Sequence, residues 1–151
     1  MPRHELFLSH ATPNRLFVER LARRLDKQGI HYFYSKRHIA GARQWHDELG
    51  AALDRCNWFV VALSKQAVKS VWVKRELLFA LQSRQYQERI VPLLLENCPA
   101  SKLSWTLPSF QYVDFRRGFD PGYEALLAAL GVAAGQKRTR ASGKPPPRKR
   151  R

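Results

Sequence analysis

The sequence feature that most constrains the fold is a run of six residues, Trp58 to Leu63, in which every side chain is apolar. A strand with one face in water alternates apolar and polar side chains, whereas an unbroken apolar run suits a parallel strand that is covered on both faces. Helices must then pack on both sides of the sheet that contains this strand. The run therefore predicts the interior of an α/β domain.

Segments typical of strands and helices alternate five times around this run. The alternation predicts a parallel sheet with right-handed crossovers and helices on both faces. Strands are predicted at residues 5–9, 30–34, 58–63, 90–95 and 110–115, and helices at 14–28, 44–55, 71–87 and from about Tyr123 to Leu130.

Single residues predict where several of these elements begin and end. Thr12 is predicted to cap the first helix, with Pro13 at its first position. Gly29 is expected to end that helix in a left-handed conformation. Pro92 lacks a ladder donor, which predicts a strand end or a sheet-edge position for the fourth strand.

Ligand sites in open parallel sheets form at the carboxyl ends of the strands. In this chain that edge is predicted to consist of the loops 9–14, 35–43 and 64–72. The helix after the third loop carries Trp72 and Glu76, four residues apart and therefore on one helical face. The pair combines a large apolar surface with a single carboxylate, and it lies at the predicted ligand-binding edge.

The charge of the chain is concentrated at its end. The formal net charge is +15, and residues 136–151 carry eight basic and no acidic residues, which leaves +7 for residues 1–135. We expect residues 1–134 to form one domain and residues 135–151 to be a disordered basic tail. The tail either binds nucleic-acid phosphates weakly and without sequence preference, or it is a solubilising end.

Several classes of protein are disfavoured by the sequence. No apolar run approaches the roughly 18 residues of a membrane span, and the N-terminus lacks the apolar region of a signal peptide, so we expect a cytoplasmic protein with no membrane partner. Cys56 and Cys98 match no metal or redox spacing. The five histidines have no zinc-like spacing, and there is no glycine-rich phosphate motif or nucleophile elbow. We therefore predict no metal and no cofactor.

The ordered set of motifs resembles the Toll/interleukin-receptor (TIR) domain, most closely its small bacterial members. The resemblance covers residues 5–130 approximately. It rests on Leu6-Phe7-Leu8-Ser9-His10, Phe17-Val18 with Leu21 and Leu25, Gly29-Ile30, Gly41 and Trp45, Leu63-Ser64, Ser70-x-Trp72-x-x-x-Glu76-Leu77, Val91-Pro92-Leu93-Leu94 and Val113-Asp114-Phe115.

The resemblance implies a flavodoxin-like fold with a five-stranded parallel sheet and one of two activities. Some members of the family are adaptors that assemble with other TIR domains. Others cleave the nicotinamide–ribose bond of NAD⁺, giving nicotinamide with ADP-ribose or cyclic ADP-ribose, and in these a glutamate at the position of Glu76 is catalytic. Bacterial enzymes of this kind commonly act in defence against phage. NAD⁺ is then a substrate, and an effector that senses the nucleotide product is a further expected partner.

The chemistry of NAD⁺ gives an independent reason why a single carboxylate can suffice. Most glycosidases need a second carboxyl group to protonate the leaving oxygen. Nicotinamide leaves a cationic ring as a neutral molecule, so the carboxylate only has to stabilise positive charge that develops on the ribose. The alternative is that Glu76 is an ordinary solvated helix residue beside Lys74 and Arg75.

Other candidate substrate contacts lie at the same predicted edge. Trp72 shapes the pocket or belongs to the core. Ser9 and His10 of the first loop are candidate substrate contacts, and the alternative for His10 is a polar loop residue. Phe33 or Tyr34 is placed to stack on nicotinamide or adenine.

The loop 35–43 supplies Lys36, Arg37 and Arg43, which suit a pyrophosphate or form a solvated basic loop. Ser35 stands where many family members have an acidic residue. A non-enzymatic alternative is a scaffold that assembles through this loop with other TIR domains.

Overall fold

The computed structural model describes residues 3–35 and 42–132, without the side chains of residues 42–45. Within this part of the chain, five parallel strands form one sheet in the order β2-β1-β3-β4-β5. This is the strand order of the flavodoxin-like fold, and it confirms the predicted α/β class. The strands are β1 (Glu5–Ser9), β2 (His31–Tyr34), β3 (Trp58–Leu63), β4 (Ile90–Leu94) and β5 (Val113–Asp114), and the helices are α1 (Arg15–Gln28), α2 (Ala42–Arg55), the single turn α3 (Lys65–Val68), α4 (Val71–Gln82) and α5 (Phe119–Leu130).

The apolar run forms the central strand, as predicted. Strand β3 lies between β1 and β4, and its side chains from Phe59 onward are buried. Phe59 and Val61 join an apolar cluster with α2 and α4 on one face of the sheet, while Val60 joins a second cluster with α1 and α5 on the other face. Both faces are therefore covered, which explains why the strand has no polar position.

The fifth strand is shorter than predicted, and Pro92 gives a reason. Pro92 lies in the interior strand β4 rather than at an edge, so that part of the prediction is wrong. The Leu94 carbonyl accepts from the Phe115 amide, so every second position of β4, including Pro92, points its backbone groups toward β5. A longer β5 would need a donor at position 92, and proline has none. The ladder accordingly begins only at Val113, opposite Leu93.

Helix α4 ends at Gln82, five residues before the predicted end, because the next segment caps another helix. The segment after Ser83 is a 3-10 turn, Arg84–Tyr86. The Tyr86 hydroxyl donates to the Leu53 carbonyl at 2.6 Å, and the Gln85 amide lies 2.9–3.0 Å from the carbonyls of Leu53, Asp54 and Cys56. The last carbonyls of α2 thus receive side-chain donors, and a continuous α4 would not bring the two side chains there.

We expect Tyr86→Phe to lower the free energy of unfolding by about 1 kcal/mol, because a buried hydroxyl loses its bond while Gln85 still serves the Leu53 carbonyl. Tyr112→Phe is the matched control, since Tyr112 is exposed. Urea unfolding of both variants measures the effect. Equal stabilities of the two variants would contradict the capping role.

Among the helices of the described residues, none combines the length and apolar character needed to cross a bilayer.

Candidate active site

Glu76 is buried at the carboxyl edge of the sheet. Helix α4 begins after Ser70, whose side chain accepts from the Val73 amide at 3.2 Å. One turn later, Glu76 points inward between the buried side chains of Val73 and Leu77, and only 3% of its surface is exposed. The alternative interpretation of Glu76 as a solvated surface residue is therefore wrong. A buried carboxylate is costly unless it is hydrogen-bonded or paired, which makes its surroundings informative.

Ser9 is a direct partner of this carboxylate. It is the last residue of β1, and its hydroxyl donates to Oε1 of Glu76 at 2.7 Å in a buried contact. The two residues are 67 positions apart in sequence. The fold therefore brings together two of the predicted site residues, one from a strand end and one from a helix.

The aromatic residues of β2 face opposite sides of the sheet, as neighbouring strand residues do. Phe33 packs against Phe7, with ring centres 5.6 Å apart, on the face that also carries Glu76. Tyr34 stacks beside Tyr32 against the other cluster. Phe33 is thus the aromatic on the side of the carboxylate. A cavity of about 420 Å³ lies along this strand and is lined by Tyr32, Phe33, Tyr34 and Glu48.

His10 and Trp72 are both partly integrated into the protein interior. His10 is buried and meets the Tyr34 ring edge-on, with ring centres 6.0 Å apart. Trp72 is half-buried against the apolar cluster on the Glu76 face, and the Arg75 guanidinium lies 5.1 Å from the centre of its ring. Trp72 therefore packs as a core residue while part of its surface stays accessible, so its two predicted roles are compatible.

The basic residues proposed for the pyrophosphate are not described by the structure. Lys36 and Arg37 lie outside the described residues. Arg43 is part of α2, but its side chain is among those not described. Ser35, directly before this segment, is buried. The predicted pyrophosphate contacts therefore stay predictions.

A polar link between two site loops was missed by the sequence analysis. The Ser64 hydroxyl donates to Oδ1 of Asn14 at 2.6 Å and accepts from the Ala67 amide at 3.0 Å. A serine before a helical turn, such as Ser64, is a recognisable capping signal, but no spacing predicts its second bond to Asn14, 50 residues away.

The predicted cap at Thr12 is wrong, because Thr12 begins a 3-10 turn and α1 starts only at Arg15.

Two other carboxylates at this edge form hydrogen bonds with residues outside the Ser9–Glu76 pair. Glu96 accepts from the backbone amide of Lys65 at 2.7 Å. Asp114 binds Arg116 through two contacts of 2.9 and 3.0 Å, and these bonds lower the pKa of Asp114 to about 2. Asp114 thus stays ionised near neutral pH and is no proton donor. Its strand is also three positions from β1, roughly 14 Å at the usual spacing.

Cavity size does not identify this site. Larger cavities, of about 530, 580 and 610 Å³, lie at the opposite end of the sheet around Glu88, before the start of β4. The described residues contain no group of three or more His, Cys, Asp or Glu side chains that suits a metal ion. The buried Ser9–Glu76 pair is what distinguishes the carboxyl edge chemically.

Comparison with known proteins bears on the family and the fold. The family model described as TIR domain matches residues 6–128. No curated protein matches the sequence. Three of the solved structures that are similar to the chain have 14–20% identity with it, a level that reports on the fold alone.

The first is the TIR domain of the Toll-related receptor TRR-2 from Hydra magnipapillata, with 20% identity and a TM-score of 0.66, covering 82% of this chain and 94% of that one. The second is a prokaryotic SEFIR domain, with 14% identity and a TM-score of 0.64, covering 97% and 99%. The third comprises the TIR domains of the activated Roq1 resistosome, with 20% identity and a TM-score of 0.51, covering 86% and 85%.

Proposed function

The chain belongs to the TIR domain family, and from this premise we propose that it cleaves NAD⁺ between nicotinamide and ribose, releasing nicotinamide and ADP-ribose or cyclic ADP-ribose. The observation that carries the proposal is the buried Glu76 carboxylate, which accepts the Ser9 hydroxyl at the carboxyl edge of the sheet. A glutamate that served only solubility would lie in water, whereas burying this carboxylate costs free energy that a hydrogen-bonded site can offset.

The proposed reaction needs one anionic group. The bond between C1′ of the ribose and N1 of nicotinamide breaks, its electron pair stays on N1, and the pyridinium becomes neutral nicotinamide. Positive charge develops at C1′, where the Glu76 carboxylate stabilises it. Water then adds to C1′ and loses a proton to give ADP-ribose, or an adenine nitrogen adds to give the cyclic product. The leaving group needs no acid. This agrees with the structure, in which Asp114 binds Arg116 and Glu96 accepts from the Lys65 amide.

The surrounding residues have subsidiary roles in this proposal. Ser9 fixes the carboxylate rotamer through its 2.7 Å bond. Phe33 and Trp72, both on the Glu76 face, offer partly exposed aromatic surface to the nicotinamide or the adenine. Lys36 and Arg43 remain the proposed partners of the pyrophosphate.

The wider setting follows from the same premise. We propose that the protein acts in the cytoplasm in defence against phage, that copies of it assemble through their TIR domains, and that an effector senses the nucleotide product. The non-enzymatic scaffold is the competing proposal, and both proposals share the assembly step.

Incubation of the purified full chain with NAD⁺ separates these proposals. We expect free nicotinamide by chromatography, and mass spectrometry of the second product distinguishes linear from cyclic ADP-ribose. The assay is repeated at high protein concentration and with a crowding agent, because an activity that depends on assembly is lost on dilution. If no nicotinamide forms under any of these conditions, the scaffold is the correct function.

We expect Ser9→Ala to lower kcat about tenfold with little change in KM, because a hydrogen bond to a charged group is worth about 1.5–3 kcal/mol and here it orients the carboxylate. Ser109→Ala is the control, since its hydroxyl bonds only to the nearby Thr106 carbonyl at an exposed position. Initial rates of nicotinamide release over a range of NAD⁺ concentrations give both constants. An unchanged kcat for Ser9→Ala would remove Ser9 from the site.

A further inference from the structure

The outward face of α4 is apolar and basic. Val71, Leu78 and Phe79 leave 59%, 43% and 39% of their surfaces exposed. Lys74 and Arg75 are exposed on the same helical face, three and four residues after Val71. A surface helix normally presents polar and charged side chains outward. The apolar residues here are not scattered singly, so they indicate a binding surface.

The connection between β4 and β5 carries another exposed apolar side chain on this side of the sheet. It packs on the same face of the sheet as α4, because its Leu103 and Leu107 are buried in the same apolar cluster as Leu77. Between those two anchors the side chain of Trp105 is 85% exposed. Tryptophan is highly buried on average, so a tryptophan held almost fully in solvent by buried neighbours is a second, independent sign of a binding surface.

The exposed charged side chains of α4 and of residues 97–112 are all basic. The one acidic residue of α4 is Glu76, which faces inward, and residues 97–112 contain no acidic residue. Other exposed acidic side chains include Glu88 and Glu96, which flank β4, and those of α2, which packs over β1. We define the α4–Trp105 surface by six exposed residues: Val71, Lys74, Leu78, Phe79, Lys102 and Trp105.

We propose that the α4–Trp105 surface binds the surface of an anionic lipid bilayer. Apolar side chains beside lysines match the boundary between acyl chains and negatively charged headgroups, and tryptophan is enriched at that depth. The chain as a whole is attracted to such a surface by its net charge of +15. Peripheral binding needs no membrane-spanning segment, so the absence of an apolar span in the sequence does not oppose it.

Other occupants explain the surface less well. Single-stranded nucleic acid binds by stacking its bases on aromatic side chains, which would leave the aliphatic Val71 and Leu78 without a partner. A second copy that docked its own α4–Trp105 surface here would set Lys74 and Lys102 against the same bases, which disfavours that contact. The inference does not depend on NAD⁺ cleavage, because it concerns binding alone.

The test measures co-sedimentation of the full chain with vesicles of phosphatidylcholine, with and without about one third phosphatidylglycerol, near 0.15 M salt. Trp105→Ser and the double variant Lys74→Glu/Lys102→Glu alter the surface. Leu16→Ser and Arg23→Glu/Lys27→Glu are the matched controls, because they change an exposed apolar residue and two exposed bases on α1, across the sheet. The basic tail is identical in all variants, so its contribution cancels.

We expect binding to the anionic vesicles only, weakened about tenfold or more by each surface variant and less than about twofold by each control. Equal losses in surface and control variants would assign the binding to net charge and overturn the proposal. Absence of binding by the parent chain would overturn it as well. If Trp105→Ser instead dissociates an oligomer in analytical ultracentrifugation without lipid and leaves vesicle binding unchanged, the surface is an interface between copies and the proposal is wrong. Far-ultraviolet circular dichroism confirms that each variant is folded.

Discussion

Replacing Glu76 by glutamine is expected to reduce nicotinamide release from NAD⁺ by about 100-fold to 1000-fold, the range observed when one preorganised stabilising group is removed from an active site. Glutamine has nearly the same shape and its side-chain oxygen can still accept the Ser9 hydroxyl, so the substitution removes the charge while it keeps the packing. The loss is expected in kcat, because the carboxylate is needed most when charge develops at C1′. Steady-state kinetics of the purified variant measure it.

Glu124→Gln is the matched control for this prediction, because Glu124 is exposed on α5 and belongs to no proposed site. Thermal unfolding of both variants shows whether they are folded at the assay temperature. Folded Glu76→Gln with the activity of the parent would exclude Glu76 as the catalytic group. A parallel loss of activity in Glu124→Gln would point to a general loss of charge rather than to a site.

The largest expected effect on stability comes from Gly122 in α5. A Cβ atom at this position would lie 2.4–2.7 Å from three ring atoms of Phe115, a distance that requires movement of the ring. Phe115 is buried and is held edge-on by Phe17, with ring centres 5.1 Å apart, and by Phe119. We expect Gly122→Ala to lower the free energy of unfolding by about 1–3 kcal/mol, because overpacking outweighs the gain in helix propensity.

Gly50→Ala is the matched control for the glycine prediction. Gly50 is also helical, but nothing lies within 4 Å of an added Cβ atom there. This variant is expected to stabilise the protein by about 0.4–1 kcal/mol, because alanine loses less backbone freedom on folding. Urea unfolding of the two variants should therefore give shifts of opposite sign. Shifts of the same sign would contradict the steric argument.

Most of the fold was predictable because its signals are local. The apolar run at residues 58–63, the helical stripe of α1 and the glycine after it are read over short windows, and the structure has β3 at those bounds and Gly29 in a left-handed conformation with φ of 77°. The errors have long-range causes. The end of α4 depends on the carbonyls of α2, and the length of β5 depends on a missing donor at Pro92.

The candidate site was predictable only in part. Ser9 and Glu76 are both predicted from the sequence as separate residues of one sheet edge, but no pattern indicates a hydrogen bond across 67 positions. Phe33 and Tyr34 look equivalent in the sequence, whereas the strand places them on opposite faces. The link between Asn14 and Ser64 was missed altogether for the same reason.

The sequence by itself determined the parallel α/β sheet, the carboxyl edge at which a site would form and the pairing of Trp72 with Glu76 on one helix. Periodicity and the alternation of strands and helices follow from neighbouring residues, so these features need no coordinates. Only the tertiary structure decided that Glu76 is buried rather than solvated and that Ser9 is its partner. The physical reason is that burial and hydrogen bonding depend on how elements distant in sequence pack against each other. The same dependence left Trp105 exposed between two buried leucines.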